Sequence, residues 1–167
     1  MEEVIANFEG IRTEVYTDTK GLKTVGVGFN MEQGDAKQIF TRILPGVSFD
    51  DVFSGKKSIT RDQALKLFAE TLKDKVQTTK RLIPNYDNLP GNVQTALVNA
   101  VFRGELKSTH KTVKFINSGE WDKVADEYLD RGDYREASKP GSKSRGIKTR
   151  MDYNANIFRE YAKKLKK

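Results

Sequence analysis

The sequence has no cysteine and a single histidine among its 167 residues. Without cysteine the protein can form no disulfide bond, no thiolate nucleophile and no cysteine-ligated zinc site. The histidine, His110, lies in the basic and hydroxyl-bearing stretch 107–111, where no acid or second histidine accompanies it. We therefore expect His110 at the surface, and we expect neither a metal nor an organic cofactor.

Long apolar runs are missing as well. Hydrophobic residues make up 37% of the chain and charged residues 32%, and no run is long enough to cross a bilayer, so no stable membrane insertion is expected. The first six residues carry acid where a secretory signal carries base, and no apolar signal core follows, which predicts a protein without a signal peptide. We expect one domain over 1–167 rather than two independent ones.

The charge balance is basic. Thirty Lys and Arg residues face 23 Asp and Glu residues, which gives a net charge of +7 and a sequence pI near 9.5. Such a field favours anionic partners, and both bacterial cell wall and nucleic acid qualify, while a solvated lysine-rich surface is the plain alternative. Nucleic-acid binding is the weaker hypothesis, because the basic residues are scattered and form no zinc-finger, glycine-lysine-rich or aromatic-basic recognition pattern.

Near the N-terminus a helical pattern gives way to a glycine-rich hairpin. The apolar spacing over 3–11 predicts a short helix, with Glu9 in its last turn. Residues 15–17 and 23–27 are β-rich and flank the turn sequence Asp18-Thr19-Lys20-Gly21, which predicts a hairpin. Asp18 would then lie where the first strand meets its turn.

The rest of the chain has mostly helical patterning. Thr60 followed by Gln63 is a capping-box start and predicts a long helix over 60–80. Trp121 shares a helical face with Tyr128 and is expected in the core. The other predicted helices lie around 39–44, 49–53, 88–104, 113–129 with a break at Gly119, and 151–165 after a basic loop at 138–146.

Glu9, Asp18 and Thr24 are the types of residue that glycoside hydrolysis needs. A carboxylate at the end of a helix and another at the first turn of the following sheet can face each other across a gap. One carboxylic acid then protonates the leaving oxygen, while the opposite carboxylate activates water or attacks the sugar. Residue types alone leave other roles open, since glutamate is common on solvated helix faces, aspartate in turns and threonine in strands.

The same residues carry a family resemblance. The strings Phe8–Arg12, Tyr16–Gly21 and Thr24–Gly28, with their spacing, resemble the catalytic opening of the phage-type lysozymes. Further matching segments follow in the same order and cover nearly the whole chain: Ile59–Ala64 with Leu67–Phe68, Pro84 with Tyr86–Asp87 and Leu89, Ala96–Leu97 with Asn99 and Val101–Phe102, and Trp121–Asp122 with Ala125.

The resemblance implies an α+β, mostly helical fold of the lysozyme type. A small N-terminal antiparallel sheet lobe over 12–59 would be joined by the long helix 60–80 to a helical C-terminal lobe over 81–167. The helix over 3–11 would pack near the helical lobe.

The resemblance also implies roles for individual residues. Glu9 would be the general acid, Asp18 the base that orients or deprotonates the attacking water, and Thr24 a residue that helps to hold this water. To keep its proton near neutral pH, Glu9 is expected to be partly buried. Substrate contacts are expected at Gly28, Phe29, Phe102 and Arg103, and either Arg145 or Arg150 would orient the acid.

The implied activity is that of a muramidase, which hydrolyses the β-1,4 bond between N-acetylmuramic acid and N-acetylglucosamine in peptidoglycan with inversion. The implied task is host lysis by a monomeric phage endolysin, made in the host cytoplasm and given access to the wall by a holin-type protein or by the virion. No nucleic-acid partner is expected. A wall-binding protein without hydrolysis is an alternative that the intact catalytic triplet disfavours.

Overall fold

The computed structural model describes residues 1–166, and its fold is α+β and lysozyme-like, as the resemblance implied. The chain divides into two compact units, one over residues 1–73 and one that begins at Asp74. A small antiparallel sheet lies in the first unit, and the described part of the second unit is helical. The 22-residue helix α4, Arg61–Leu82, runs through the boundary and confirms the predicted long helix.

The first unit contains a short helix, a three-stranded sheet and two further helices before α4. Its sheet is antiparallel throughout, in the order β1-β2-β3. The third strand was not predicted, because two residues are too few to show an alternating pattern. The elements are α1 (Glu2–Glu9), β1 (Arg12–Thr17), β2 (Lys23–Gly26), β3 (Phe29–Asn30), α2 (Ala36–Ile43) and α3 (Phe49–Phe53).

The core of this unit forms between the sheet and the helices that follow it. Phe40 of α2 is fully buried, and its ring meets the ring of Phe49 of α3 edge to face, with centroids 5.4 Å apart. Such aromatic pairs add stability beyond the apolar area they bury. The buried members of the cluster are Val25, Phe29, Met31, Ala36, Phe40, Leu44, Val52, Ile59, Ala64 and Leu67.

The start of α4 is fixed by the predicted capping box. The backbone N–H of Gln63 donates to Thr60 Oγ1 over 3.1 Å, and the backbone N–H of Thr60 donates to Gln63 Oε1 over 2.9 Å. This reciprocal pair satisfies two donors that a helix start otherwise leaves open. The sequence signal therefore gave the start of α4 correctly.

The second unit packs its helices around α5 (Gly91–Phe102) and α9 (Arg145–Leu165), which contact each other. The predicted apolar stripe of α5 is buried, and Trp121 is 5% exposed, as expected for a core residue. The last helix begins at Arg145, six residues before the predicted start. The remaining elements are two 3-10 turns, Tyr86–Asn88 and Trp121–Lys123, and the helices α6 (Lys111–Asn117), α7 (Val124–Leu129) and α8 (Gly132–Ala137).

Two further points concern membrane-spanning helices and the position of the first helix. Within residues 1–166, no helix combines the length and the apolar character needed to span a membrane. The first helix belongs to the unit over residues 1–73. Its expected packing near the helical lobe stays a prediction.

Candidate active site

Glu9 is the last residue of α1. The helix ends at Gly10, whose φ of 91° is a backbone conformation that glycine adopts without strain. The Gly10 N–H donates to Ala6 O over 2.8 Å and closes the last turn. Glu9 is exposed, so the expectation that it is partly buried is wrong for this structure. The reason is local: α1 buries Ile5 and Ala6 and then stops, so no further turn of the helix covers the carboxyl.

Asp18 follows β1 and organises the hairpin turn around its own carboxylate. Its Oδ1 accepts the backbone N–H groups of Lys20 and Leu22, each over 2.9 Å. The Asp18 backbone N–H donates to Leu22 O over 2.8 Å, and its carbonyl accepts the N–H of Gly21 over 3.0 Å. These bonds close a three-residue loop of the type I plus bulge kind. The turn therefore immobilises one carboxylate oxygen, and the other, Oδ2, lies near Thr24 Oγ1.

Thr24 stands beside that second oxygen. Its Oγ1 donates to Leu22 O over 3.0 Å and lies 3.5 Å from Asp18 Oδ2. A hydroxyl has one proton, and the shorter contact uses it, so the lone pairs of Oγ1 remain free to accept. Oγ1 and Oδ2 together offer two acceptors that one water could use, and a general base for water needs such acceptors. Thr24 itself is 3% exposed and therefore held in one position.

The first strand carries an irregularity of the bulge type between Arg12 and Tyr16. Arg12 pairs with Gly26 and Tyr16 pairs with Thr24, so four steps along β1 oppose only two steps along β2. The Arg12 guanidinium lies 4.5 Å from the centre of the Tyr16 ring. Periodicity in the sequence does not reveal this irregularity.

The expected substrate contacts in the first unit divide into one surface residue and one core residue. Gly28 is exposed in the turn between β2 and β3. A β-carbon added to this glycine would have no atom within 4 Å. Phe29 is 6% exposed, and its ring centroid lies 6.3 Å from that of Phe40. The Phe29 side chain therefore packs in the core, so a sugar would have little of its surface to contact, and its role in substrate binding stays a prediction. Of these two residues, Gly28 is the exposed one.

Phe102 and Arg103 lie in the second unit, at the end of α5. Phe102 is half-buried, with Lys75 Nζ and Arg150 Cζ each 5.9 Å from its ring centroid. Arg103 is exposed, and its Nε lies 3.8 Å from Glu105 Oε2. Both residues have packing or ionic partners inside this unit, and their role in substrate binding stays a prediction.

Arg145 and Arg150, the two candidates for orienting the acid, differ sharply in their surroundings. Arg145 is the first residue of α9 and is exposed, while Arg150 is 4% exposed in the same helix. Arg150 Nε donates to Asn99 Oδ1 of α5 over 2.7 Å. Because a buried, hydrogen-bonded guanidinium has a fixed position, Arg150 is the better candidate for a geometric role.

Sequence reasoning missed a buried polar cluster in the second unit. Asn99 and Asn154 are fully buried, Tyr128 is 1% exposed, and Glu105 is 3% exposed. Burial raises the pKa of Glu105, although the Tyr128 hydrogen bond and the nearby arginines act in the opposite direction. The available signals were Asn99 inside the apolar stripe of α5 and the four-residue spacing of Arg150 and Asn154 in α9.

Within residues 1–166, no group of three or more His, Cys, Asp or Glu side chains is arranged to hold a metal ion. The residues that we consider as candidates for catalysis are two carboxylates and a hydroxyl, Glu9, Asp18 and Thr24. The α+β fold itself is of the lysozyme-like class.

Comparison with known proteins gives the family. The phage lysozyme family matches residues 6–152, and the chain belongs to that family. The match supports a lysozyme-type hydrolase that acts on peptidoglycan.

Two relatives show how distant the similarity is. The chain is 27% identical to a probable T4-type lysozyme 2 of Dictyostelium discoideum over 137 residues, which are 75% of this chain and 79% of that protein. It is 24% identical to the pre-baseplate central spike protein Gp5 of Enterobacteria phage T4 over 132 residues, 74% of this chain but 23% of that protein.

Proposed function

We propose that the protein is a muramidase that hydrolyses the β-1,4 bond between N-acetylmuramic acid and N-acetylglucosamine in peptidoglycan, with inversion. The observation that carries the proposal is the Asp18–Thr24 pair, in which one carboxylate oxygen is saturated by backbone N–H groups and the other faces a buried hydroxyl. The family match supports the substrate class.

In the proposed reaction each carboxyl group has one task. Glu9 donates its proton to the glycosidic oxygen as the bond to the anomeric carbon breaks. A water held between Thr24 Oγ1 and Asp18 Oδ2 attacks that carbon from the opposite face, and Asp18 takes the proton that the water loses. The products are a reducing sugar of inverted configuration and a free hydroxyl on the leaving sugar. Inversion predicts a separation of roughly 6.5–9.5 Å between the two carboxyl groups, with room for that water.

The proposal is tested by clearing of peptidoglycan suspensions with Glu9→Gln and Asp18→Asn. Each variant should lose at least about 10²-fold in rate, as expected when a general acid or base is removed. Matched controls are Glu14→Gln on β1 and Asp35→Asn before α2, both exposed, and both should retain wild-type rates. If folded Glu9→Gln and Asp18→Asn clear walls as fast as wild type, the assignment is wrong.

Two further measurements separate the parts of the proposal. The anomer released first, read by NMR, distinguishes inversion from retention. Mass spectrometry of the fragments distinguishes a reducing muramic acid end from a reducing glucosamine end.

We also propose that the protein serves as a phage endolysin, made in the host cytoplasm and working as a monomer on the wall after holin-type release or delivery by the virion. Support comes from the family match. Expression in a bacterium should leave growth intact until a membrane-permeabilising agent is added, and lysis should then follow within minutes. Lysis without the agent, or none with it, would contradict this role.

A further inference from the structure

Arg150 lies at one end of a continuous buried chain of hydrogen bonds in the second unit. Arg150 Nε donates to Asn99 Oδ1 over 2.7 Å, and Asn99 Nδ2 donates to Asn154 Oδ1 over 3.0 Å. Asn154 Nδ2 donates to the Tyr128 hydroxyl over 3.0 Å, and this hydroxyl donates to Glu105 Oε1 over 2.6 Å. All five side chains are at most 4% exposed.

The chain can run in one direction only. A guanidinium has no acceptor, so Asn99 must turn its oxygen toward Arg150 and its amide nitrogen toward Asn154. Asn154 then presents its nitrogen to Tyr128, whose single proton is left to point at Glu105. The orientation of both amides therefore follows from the donor at one end and the acceptor at the other.

Glu105 is well placed to be that terminal acceptor. Glu105 follows the end of α5, where its backbone N–H donates to Ala100 O over 2.9 Å. Its backbone carbonyl accepts a hydrogen bond from Arg131 Nη1 over 3.3 Å. Burial and the neighbouring carboxyl raise the pKa of Tyr128, so its hydroxyl keeps the proton that it donates. Among the described residues, Oε2 of Glu105 accepts no hydrogen bond. The bond from Tyr128 to Oε1 therefore links this carboxyl group to the chain of hydrogen bonds.

We propose that Glu105 is a positioning residue that fixes the Arg150 guanidinium through Tyr128, Asn154 and Asn99. Without an acceptor at position 105, the buried Tyr128 O–H is unpaired, and the hydroxyl that Asn154 donates to is no longer held at its far side. Asn154 and Asn99 then lose one of the two anchors of their amides, and the bond that holds the Arg150 Nε–H is weakened. The consequence for catalysis rests on the proposed function, together with the acid-orienting role that the family resemblance implies for Arg145 or Arg150.

The test compares Glu105→Leu, which removes the acceptor, with Glu105→Gln, whose amide oxygen can still accept the Tyr128 proton. Tyr128→Phe interrupts the chain independently and serves as the second variant if Glu105→Leu does not fold. Tyr134→Phe is the matched control, because Tyr134 donates to Asp152 over 2.6 Å in the same unit but outside the chain.

The first readout needs no activity. Solvent exchange of the Arg150 Nε–H, followed by NMR of the arginine side chains in the full-length free protein, should be slow in wild type because this proton is buried and bonded. It should become at least about 10-fold faster in Glu105→Leu and Tyr128→Phe. Glu105→Gln and Tyr134→Phe should stay close to wild type.

The second readout is kinetic. In Glu105→Leu and Tyr128→Phe, kcat should fall about 10-fold or more with KM nearly unchanged, and Glu105→Gln should restore most of the loss. Unchanged exchange in both disrupting variants would overturn the proposal, and so would faster exchange with unchanged kcat. If wild type itself hydrolyses no wall, the proposed function fails, while the exchange measurement still decides whether Glu105 positions Arg150.

Discussion

At the scale of single residues, the hydroxyl of Thr24 is the most direct test of how water is held. Thr24→Val keeps the shape of the side chain but removes the atom that lies 3.5 Å from Asp18 Oδ2. We expect kcat to fall roughly 10- to 100-fold, because the water loses one of its two protein acceptors and with it its orientation. Thr24→Ser keeps the hydroxyl and should lose less than about 3-fold. Equal kcat in Val and Ser variants, measured on soluble wall fragments, would contradict the water-holding role.

The buried carboxyl of Glu105 gives a prediction about stability against pH. Its pKa is raised in the folded protein, so its contribution to stability is fully present below the unfolded pKa and is lost as pH rises through the folded pKa. Glu105→Gln avoids the charged buried form. We therefore expect the Tm of this variant to exceed that of wild type at pH 7.5, with the difference shrinking toward pH 4.

Glu120 offers the opposite trend as a control. Its pKa is lowered by hydrogen bonds from Lys123 and Ser118 at the surface. The stability that Glu120 contributes is present above its unfolded pKa and is lost as pH falls through the folded pKa. We therefore expect Glu120→Gln to lower the Tm slightly at pH 7.5. Parallel pH curves for the two Gln variants would refute the assignment of the Glu105 effect to burial.

At the scale of elements, the hairpin between β1 and β2 connects stability with chemistry. Gly21 has a φ of 83°, which other residues adopt at a cost of about 1–2 kcal/mol. Gly21→Ala should therefore destabilise the protein by about 1 kcal/mol and lower kcat, because the turn holds Asp18. Gly21→Asn should do less harm, since asparagine tolerates this conformation. Urea unfolding and wall clearing measure the two effects.

Gly34→Ala is the matched control for this prediction. Its glycine has an ordinary φ, and an added methyl group would meet no atom within 4 Å. We expect this substitution to be neutral or slightly stabilising. A loss in Gly34→Ala equal to that in Gly21→Ala would show that the left-handed backbone is not the cause.

The elements that the sequence predicted are those with a local signal. The capping box of α4, the apolar stripe of α5 and the turn after Asp18 depend on residues close together in the chain, and all three are present. The bulge in β1 depends on pairing with β2, and α8 has six residues with only Ala137 buried, so neither has a periodic pattern to detect. The burial of Phe29 is likewise decided by helices that follow it in the chain.

At the scale of the whole molecule, the fold could be predicted because motif spacing over nearly the entire chain matched one family, which composition alone would not have given. The candidate catalytic residues came with that resemblance, since glutamate, aspartate and threonine have commonplace structural roles. The buried chain from Arg150 to Glu105 could not be predicted in the same way. It joins residues from α5, α7 and α9 and from the loop after α5, and only the packing of these segments brings the polar groups together.

The net charge of +7 is a property of the whole molecule and predicts salt-sensitive action on anionic walls. Attraction between exposed charges is screened within about 8 Å at physiological ionic strength. Raising NaCl from 0.05 to 0.5 M should therefore slow clearing by roughly 10-fold through a weaker association with the wall. Hydrolysis of short, soluble glycan fragments, which carry few charges, should change much less.

Neutralising lysines on the last helix tests whether charge itself is responsible. Lys163, Lys164 and Lys166 are exposed near the end of α9, and replacing all three by Gln lowers the net charge by three. Clearing by this variant at low salt should be slower than wild type and less dependent on NaCl, while kcat on short fragments stays the same, because none of these residues belongs to the candidate site. If the variant keeps the full salt dependence of wild type, then the steering comes from a local basic patch elsewhere on the protein and not from its total charge.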